Sequence, residues 1–446
     1  MDANDSALRY EMAGEIKQAV DITIGEDVRS AKENSSGRAG NRAEREEWFR
    51  DLGIGMFVHW SLDSVIGCMI SHWMCAADKS INDKFINEFP SLFNPRMFCA
   101  DDYTMLARQN GMKYLVFTNK HHNGFCMFDT KTTDFNCMNT PFGRDITREF
   151  KDSCEKAGLP FGVYFSPWDW NWCFQNGRPL QMAESVTSGH PKFDLPLQEY
   201  NSEQMRELLM NYGAIDFAFF DGPPDPYKSI AWEKQPDILV TRGEMITPEQ
   251  HLPEDGIPGA WEANFTLGKS WSYKPNDEKY KKGSDLIRML VETRAKGGNL
   301  LLNVSPDNMG RIPIEQERLL QELGLFLFFN GEGIYSTRPW RTVREGNIWY
   351  TRSKKTDTVY AFDLGGPWQY GARRSLCLKG VLPTENTHIE ILGQSGDVLE
   401  HAAFDNTAAS WRMTEEGLFI EAMMCYRPYD DCSWANPIAI KITHAR

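Results

Sequence analysis

A chain of 446 residues, 41% hydrophobic and 25% charged, has the composition of a globular protein. It is too long for one ordinary core but comfortable for a barrel plus a smaller domain. A formal charge of −14 argues against nucleic acid or an anionic membrane as partner, since both need clustered lysine and arginine. No run of about eighteen apolar residues is present, so a membrane-spanning helix is excluded.

The N-terminus, MDANDSALRYEMAGEIKQ, has no basic region followed by an apolar stretch, and no signal peptide is visible. The expected location is periplasmic or secreted, with the signal absent from this sequence and the cytoplasm as the alternative. None of the ten cysteines forms a CxxC pair, and they lack the compact spacing of a disulfide scaffold or zinc site. Buried free thiols are expected, with neither metal nor cofactor. Fourteen Trp and fifteen Tyr suit a sugar-binding cleft, where a ring lies under the C–H face of a pyranose, and equally suit a large core.

Residues 1–40 read as an extension that ends in a Ser/Gly/Asn/Arg tract. A helix at AEREEWFRDLG is stopped by Gly53, and the strand IGMFVHW then puts Phe57 and His59 on one face. A long loop over residues 61–95 carries His72 and Trp73. The phrase helix, glycine, short apolar strand follows three times. The strands are YLVFTNK, ending in His121-His122, then GVYFSP, then IDFAFFDG. Serial phrases without hairpins indicate a parallel sheet or barrel.

In the last of these strands side chains alternate, so Phe219 and Asp221 share a face, with Asp216 on the other face near the strand's start. Asp221 stands immediately before Gly222-Pro223-Pro224, where no strand continues. Catalytic groups sit at such carboxyl ends in α/β proteins. Asp221 is therefore the carboxylate aimed at chemistry, and Asp216 is a structural or capping residue. With further strands near Val240, Trp261 and Leu301 the count reaches seven or eight, favouring a (β/α)8-like barrel of TIM type over an open sheet. Past Arg338-Pro339-Trp340, short alternating segments between turn residues mark an all-β sandwich. The expected domains are residues 41–338 and 339–446.

The segments GIGMFVHW, YLVFTNKHHNGFCMFD, GRDITREF, GVYFSPWDW, FFDG, GAWEANFTLGKSWSY, GGNLLLNVSPDNMGRIP and NGEGIYSTRPW, in this order, resemble the retaining α-L-fucosidase family of glycoside hydrolases over about residues 45–345. The resemblance implies a barrel followed by a β-sandwich, and Asp221 as nucleophile. It also implies an acid/base carboxylate, read here as Glu262 after Trp261, with Glu254 and Glu244 as fallbacks. A retaining enzyme holds its two carboxyl groups about 5–5.5 Å apart. The resemblance further implies sugar contacts from His59, His121, His122 and Arg242, and packing of Phe57 and Trp271 on the C6 methyl.

Two departures fall in the expected sugar pocket. His72-Trp73 stands where the family usually has Glu-Trp, and Phe219 stands where Trp is common. The expected substrate is an oligosaccharide or glycoconjugate with a terminal α-L-fucosyl residue, cleaved with retention. The alternatives are a retaining exo-glycosidase for α-L-galactosides or α-L-glucosides, and a carbohydrate-binding protein that has lost turnover.

Overall fold

The computed structural model describes residues 40–183, 185–395, 407–425, 427–431 and 433–446. The extension expected over residues 1–40 lies outside the described residues, except for its last position. Seven parallel strands form the main sheet: β1 (Ile54–Val58), β2 (Leu115–Lys120), β3 (Phe161–Phe165), β4 (Phe217–Phe220), β5 (Leu239–Val240), β6 (Glu262–Thr266) and β7 (Asn299–Val304). Their spatial order is β5-β4-β3-β2-β1-β7-β6. The sheet curls until the two edges face the same segment, residues 245–250. That segment touches the β6 chain through the single bridges Ile246↔Trp261 and Glu249↔Asn264. The eighth stave of the barrel is thus an irregular stretch, and no helix precedes β6 after β5 among the described residues.

Alternation along the strands divides the apolar residues into two cores. Phe57, Val116, Tyr164, Phe217, Phe219 and Leu301 fill the barrel interior. Met56, Leu115, Phe117, Ala218, Phe220, Leu300 and Leu302 face outward, toward the surrounding helices. The interior stays close-packed because small residues admit large rings: a Cβ on Gly55 would stand 2.4 Å from the Tyr114 ring. Helix Ala43–Leu52 closes the amino-terminal end of the barrel. Its Phe49 packs edge-on against Tyr114 and Phe217, and Trp48 stacks on Phe217.

After helix Ile314–Asn330 the texture becomes antiparallel. One sheet runs, in spatial order, through Ile389–Ile391, Ile438–Ile442, Val359–Asp363, Ile348–Ser353 and Thr337–Glu345. A second contains Arg373–Leu378, Gly417–Met423 and Ser410–Thr414. Leu418, Ile420 and Ala422 alternate inward along Gly417–Met423, as a half-buried strand requires. The first strand of this domain already opens at Thr337. The joint to the barrel is polar and buried. Arg294 donates to the carbonyls of Arg50, Gly298, Ile334 and Thr337, and Arg338 pairs with Glu47 and Asp51.

Candidate active site

Asp221 is the first residue beyond β4, on the interior parity set by Phe217 and Phe219, at the carboxyl end of the strands. Its side chain is 27% exposed. Tyr164 Oη donates to Oδ2 at 2.5 Å, Arg242 Nη1 donates to Oδ1 at 3.2 Å, and His122 Nε2 lies 3.5 Å from Oδ2. Burial pushes this carboxyl up, but His122, Arg242 and the Tyr164 hydroxyl outweigh it and hold the pKa at about 2. Asp221 is therefore an anion held in place by donors and open to the mouth of the barrel. Asp216, on the opposite parity, accepts from the Phe161 N–H at 3.1 Å and pairs with Arg45 at 3.0 Å.

Arg242 does more than hold Asp221. Its Nη2 donates to Glu249 Oε2 at 2.8 Å and its Nε to Thr247 Oγ1 at 3.2 Å, while its guanidinium carbon lies 4.8 Å from the Phe219 ring centre. One guanidinium thus bridges two carboxylates at the mouth, Asp221 and Glu249, the latter 23% exposed. Glu249 sits on the irregular stave, where the next residue, Gln250, adopts φ +58. That left-handed turn is held by Gln250 N–H to Asn264 O and by the Gln250 amide to Thr266 Oγ1, both 3.0 Å.

Glu262 does not belong to this constellation. It is the first residue of β6, at the amino-terminal end of the barrel, whereas Asp221 lies beyond the carboxyl end of β4. The Glu262 side chain is fully buried and accepts from the hydroxyl of Tyr114, the residue just before β2, while its Oε1 has no hydrogen-bond partner. Burial pushes its pKa up to about 7 despite that bond. The strand starts at Glu262, so the residue read as the acid/base from the sequence lies in the floor of the barrel and not at its mouth. Of the fallbacks, Glu244 pairs with Lys228 at 3.2 Å and Glu254 is exposed on the following loop.

Four histidines ring Asp221. His59 continues β1 inward; its Nδ1 meets Asn303 Oδ1 at 2.5 Å, and burial above all lowers its pKa to about 4. His121 Nδ1 accepts from the His122 N–H at 2.9 Å, which leaves the proton on Nε2. His122 Nδ1 is bonded to Ser166 Oγ. The His72 ring centre lies 6.2 Å from that of His121 and 5.6 Å from that of His122, and its Nδ1–H donates to Ile70 O at 2.9 Å. Donor atoms of His121, His122 and Asp221 come within 4.8 Å of one another, a spacing a cation could use. However, the Nε2 proton on His121 and the Arg242 guanidinium on Asp221 suit a hydroxyl-bearing ligand better than a metal ion.

The aromatic residues separate into two groups. Phe57, Phe219 and Tyr164 pack ring to ring beneath His59, and Trp271 closes on Phe57 and His59 with centres at 6.1 and 4.8 Å. Trp73 has its indole N–H committed to Asp63 at 2.9 Å and its ring edge-on to Phe85, so it supports the His72 loop. Asp63, fully buried and pushed up to about 6 by burial, also takes the Ser71 N–H and the Asn123 amide. Beneath His121, the buried Lys120 ammonium meets Asp169 at 3.2 Å, Asn201 at 2.5 Å and Gln204 at 2.8 Å. Trp168 and Trp170 are buried beside this network and belong to the core.

Sequence reasoning missed Tyr164 and Glu249. Tyr164 had a signal, a hydroxyl-bearing ring near the mouth end of an apolar strand. Glu249 had only the punctuation of Pro248 and Pro253 around an acidic residue.

Residues 24–332 match the family model described as alpha-L-fucosidase. The chain is 28% identical to the alpha-L-fucosidase of Dictyostelium discoideum over 361 residues, covering 71% of this chain and 77% of that protein. It is 28% identical to the plasma alpha-L-fucosidase of Homo sapiens over 366 residues, covering 72% and 76%. Among solved structures, alpha-L-fucosidase isoenzyme 1 from Paenibacillus thiaminolyticus superposes with a TM-score of 0.70 at 28% identity, covering 90% of this chain and 98% of that one. A Bacteroides thetaiotaomicron alpha-L-fucosidase trapped as a covalent intermediate shares the fold, with a TM-score of 0.72 at 19% identity and coverage of 94% and 99%.

Proposed function

Because the chain belongs to the α-L-fucosidase family, we propose that Asp221 is the nucleophile and Glu249 the acid/base of a retaining exo-α-L-fucosidase. The observation that supports this pairing is the single Arg242 guanidinium holding both carboxylates at the mouth of the barrel. Retention needs two carboxyl groups on one glycosidic bond, and Asp221 and Glu249 are both partly exposed and share that donor.

The Asp221 carboxylate attacks the anomeric carbon as Glu249 gives its proton to the leaving oxygen. Glu249, now an anion, then takes a proton from the water that releases the sugar. Arg242 lowers the cost of keeping the Asp221 anion beside a second carboxyl group. As Asp221 turns ester and loses its charge, Glu249 keeps that guanidinium to itself. Tyr164 and Arg242 each donate to one Asp221 oxygen and so fix the orientation of the attacking carboxylate. His59, His121 and His122 read the sugar hydroxyls, and Phe57, Phe219 and Trp271 form the apolar wall against the C6 methyl. The substrate is a glycan ending in α-L-fucose, and the plasma location named for the human relative supports a place outside the cytoplasm.

The test is leaving-group dependence. Glu249→Ala keeps most of its first-step rate on 4-nitrophenyl α-L-fucoside but loses about 10²–10⁴-fold on an unactivated fucosyl disaccharide, which needs protonation. NMR of the first-formed product reports α-fucose. Equal losses on both substrates, or an inverted product, would remove Glu249 and the double displacement respectively.

A further inference from the structure

Asn303 lies on β7 with its side chain inside the barrel, 2% exposed, and its two amide atoms have different partners. Nδ2 donates to Trp271 O at 2.7 Å, and Oδ1 meets His59 Nδ1 at 2.5 Å. The orientation of the amide is therefore fixed: a flipped Asn303 would set its oxygen against the Trp271 carbonyl. With Oδ1 as acceptor, His59 must carry its proton on Nδ1. His59 is neutral at working pH, since burial holds it near 4 and the opposing charges facing it, Asp221 and Arg242, partly cancel. The other faces of its ring meet Phe57, Tyr164, His121 and Trp271, none of which supplies a further charge when His121 is neutral.

We propose that Asn303 is a specificity-setting positioning residue: it fixes His59 as a hydrogen-bond acceptor at Nε2 and ties that acceptor to the Trp271 wall. The proposal rests on the sugar pocket described above. The site then offers two imidazoles of opposite sense, a bare Nε2 on His59 and an Nε2–H on His121, with ring centres 5.9 Å apart. A substrate hydroxyl at His59 has to donate. A group that only accepts, such as fluorine, meets a lone pair there, and a buried polar group left unpaired is costly. Because Trp271 enters from the loop after β6 and His59 from β1, one amide couples the hydroxyl-reading side of the pocket to its apolar side.

The test compares wild type with Asn303→Leu, and with the smaller Asn303→Ala should leucine not fold. The probes are L-fucose and its 2-, 3- and 4-deoxyfluoro analogues, with KI measured by competition against 4-nitrophenyl α-L-fucoside or, without turnover, by calorimetry. In wild type, one ring position shows a loss of about 10- to 100-fold on replacing OH by F. In the variant that single penalty disappears, because His59 is free to move its proton to Nε2, while the penalties at the other positions stay. Uniform weakening of all four sugars would make Asn303 merely structural and overturn the proposal. So would ¹⁵N-histidine spectra of the wild-type protein in which the signal lost on His59→Gln is Nε2-protonated. Failure of wild type to hydrolyse any α-L-fucoside would instead count against the fucosidase reading, leaving the spectra to judge Asn303.

Discussion

Glu262→Gln separates a floor carboxyl from a catalytic one. Glu262 is fully buried, its Oε1 lacks a partner, and its pKa in the fold is about 7 against an ordinary 4.5. A carboxyl whose folded pKa is raised leaves stability intact below 4.5. It subtracts from it as pH climbs toward 7, because the unfolded chain ionises first. From 4.5 to 7, at 1.36 kcal/mol for each pH unit, the loss is roughly 3 kcal/mol, complete above pH 7. Glutamine has the same shape and cannot ionise, so it removes this dependence. Its amide hydrogens face the unpartnered position, which costs about 1–3 kcal/mol at every pH. The net effect is a variant less stable than wild type near pH 5 and equal or better at pH 8. With about 2.1 cal/mol/K per residue, the relative change in Tm across that range is roughly 3 °C. The assay is thermal unfolding of both proteins from pH 4.5 to 8.5, together with hydrolysis of good and poor leaving groups at pH 6. Parallel Tm curves would refute the buried, proton-linked Glu262. A loss confined to poor leaving groups would return the acid/base role to Glu262 and remove Glu249.

Asp221→Gly abolishes hydrolysis, and azide restores part of the rate by occupying the vacated space; near-normal activity without azide would end the nucleophile assignment. Lys120→Met strands the buried Asp169 carboxylate without its cation and lowers stability by about 3–5 kcal/mol in denaturant titration. Addition of Asp169→Asn recovers part of that loss, since no buried charge then remains unpaired. His72→Glu raises the preference for α-L-fucoside over α-L-galactoside. It also moves the acid limb of kcat/KM upward, because a carboxylate replaces one of the groups that hold Asp221 near 2. An unchanged ratio would make position 72 neutral for specificity.

The parts of the site carried on regular strands were legible because period-two alternation is a local property of the chain. Phe219 and Asp221 share the interior face, Phe57 and His59 do likewise, and Asp216 turns to the opposite side as its parity demands. The same alternation is blind to direction along a strand. GAWEANF reads equally well as a strand ending at Glu262 or beginning there, and only its pairing with β7, Glu262 opposite Asn299, decides that it begins there.

The proposed acid/base, Glu249, was hidden for a different reason. A barrel of seven strands must close its last gap with something, and between Val240 and Glu262 this chain uses an irregular segment joined by single bridges. Such a segment has no hydrophobic period, so nothing in its sequence says which side chain points inward. Its conformation is set from outside by the Gln250–Thr266 contacts and by the Arg242–Thr247 bond. Irregular backbone lets Glu249 return toward Asp221, which lies at the end of a strand more than one position away around the sheet. A regular stave would fix that side chain on the strand's own axis. The residue hardest to find in the sequence therefore stands on the stretch least like an element, and its approach to Asp221 depends on that irregularity. Replacing Gln250 by proline, which cannot adopt φ +58 and has no N–H for Asn264 O, should accordingly cost kcat on poor leaving groups while sparing nitrophenyl substrates. Equal loss on both classes would show that the turn serves the fold alone.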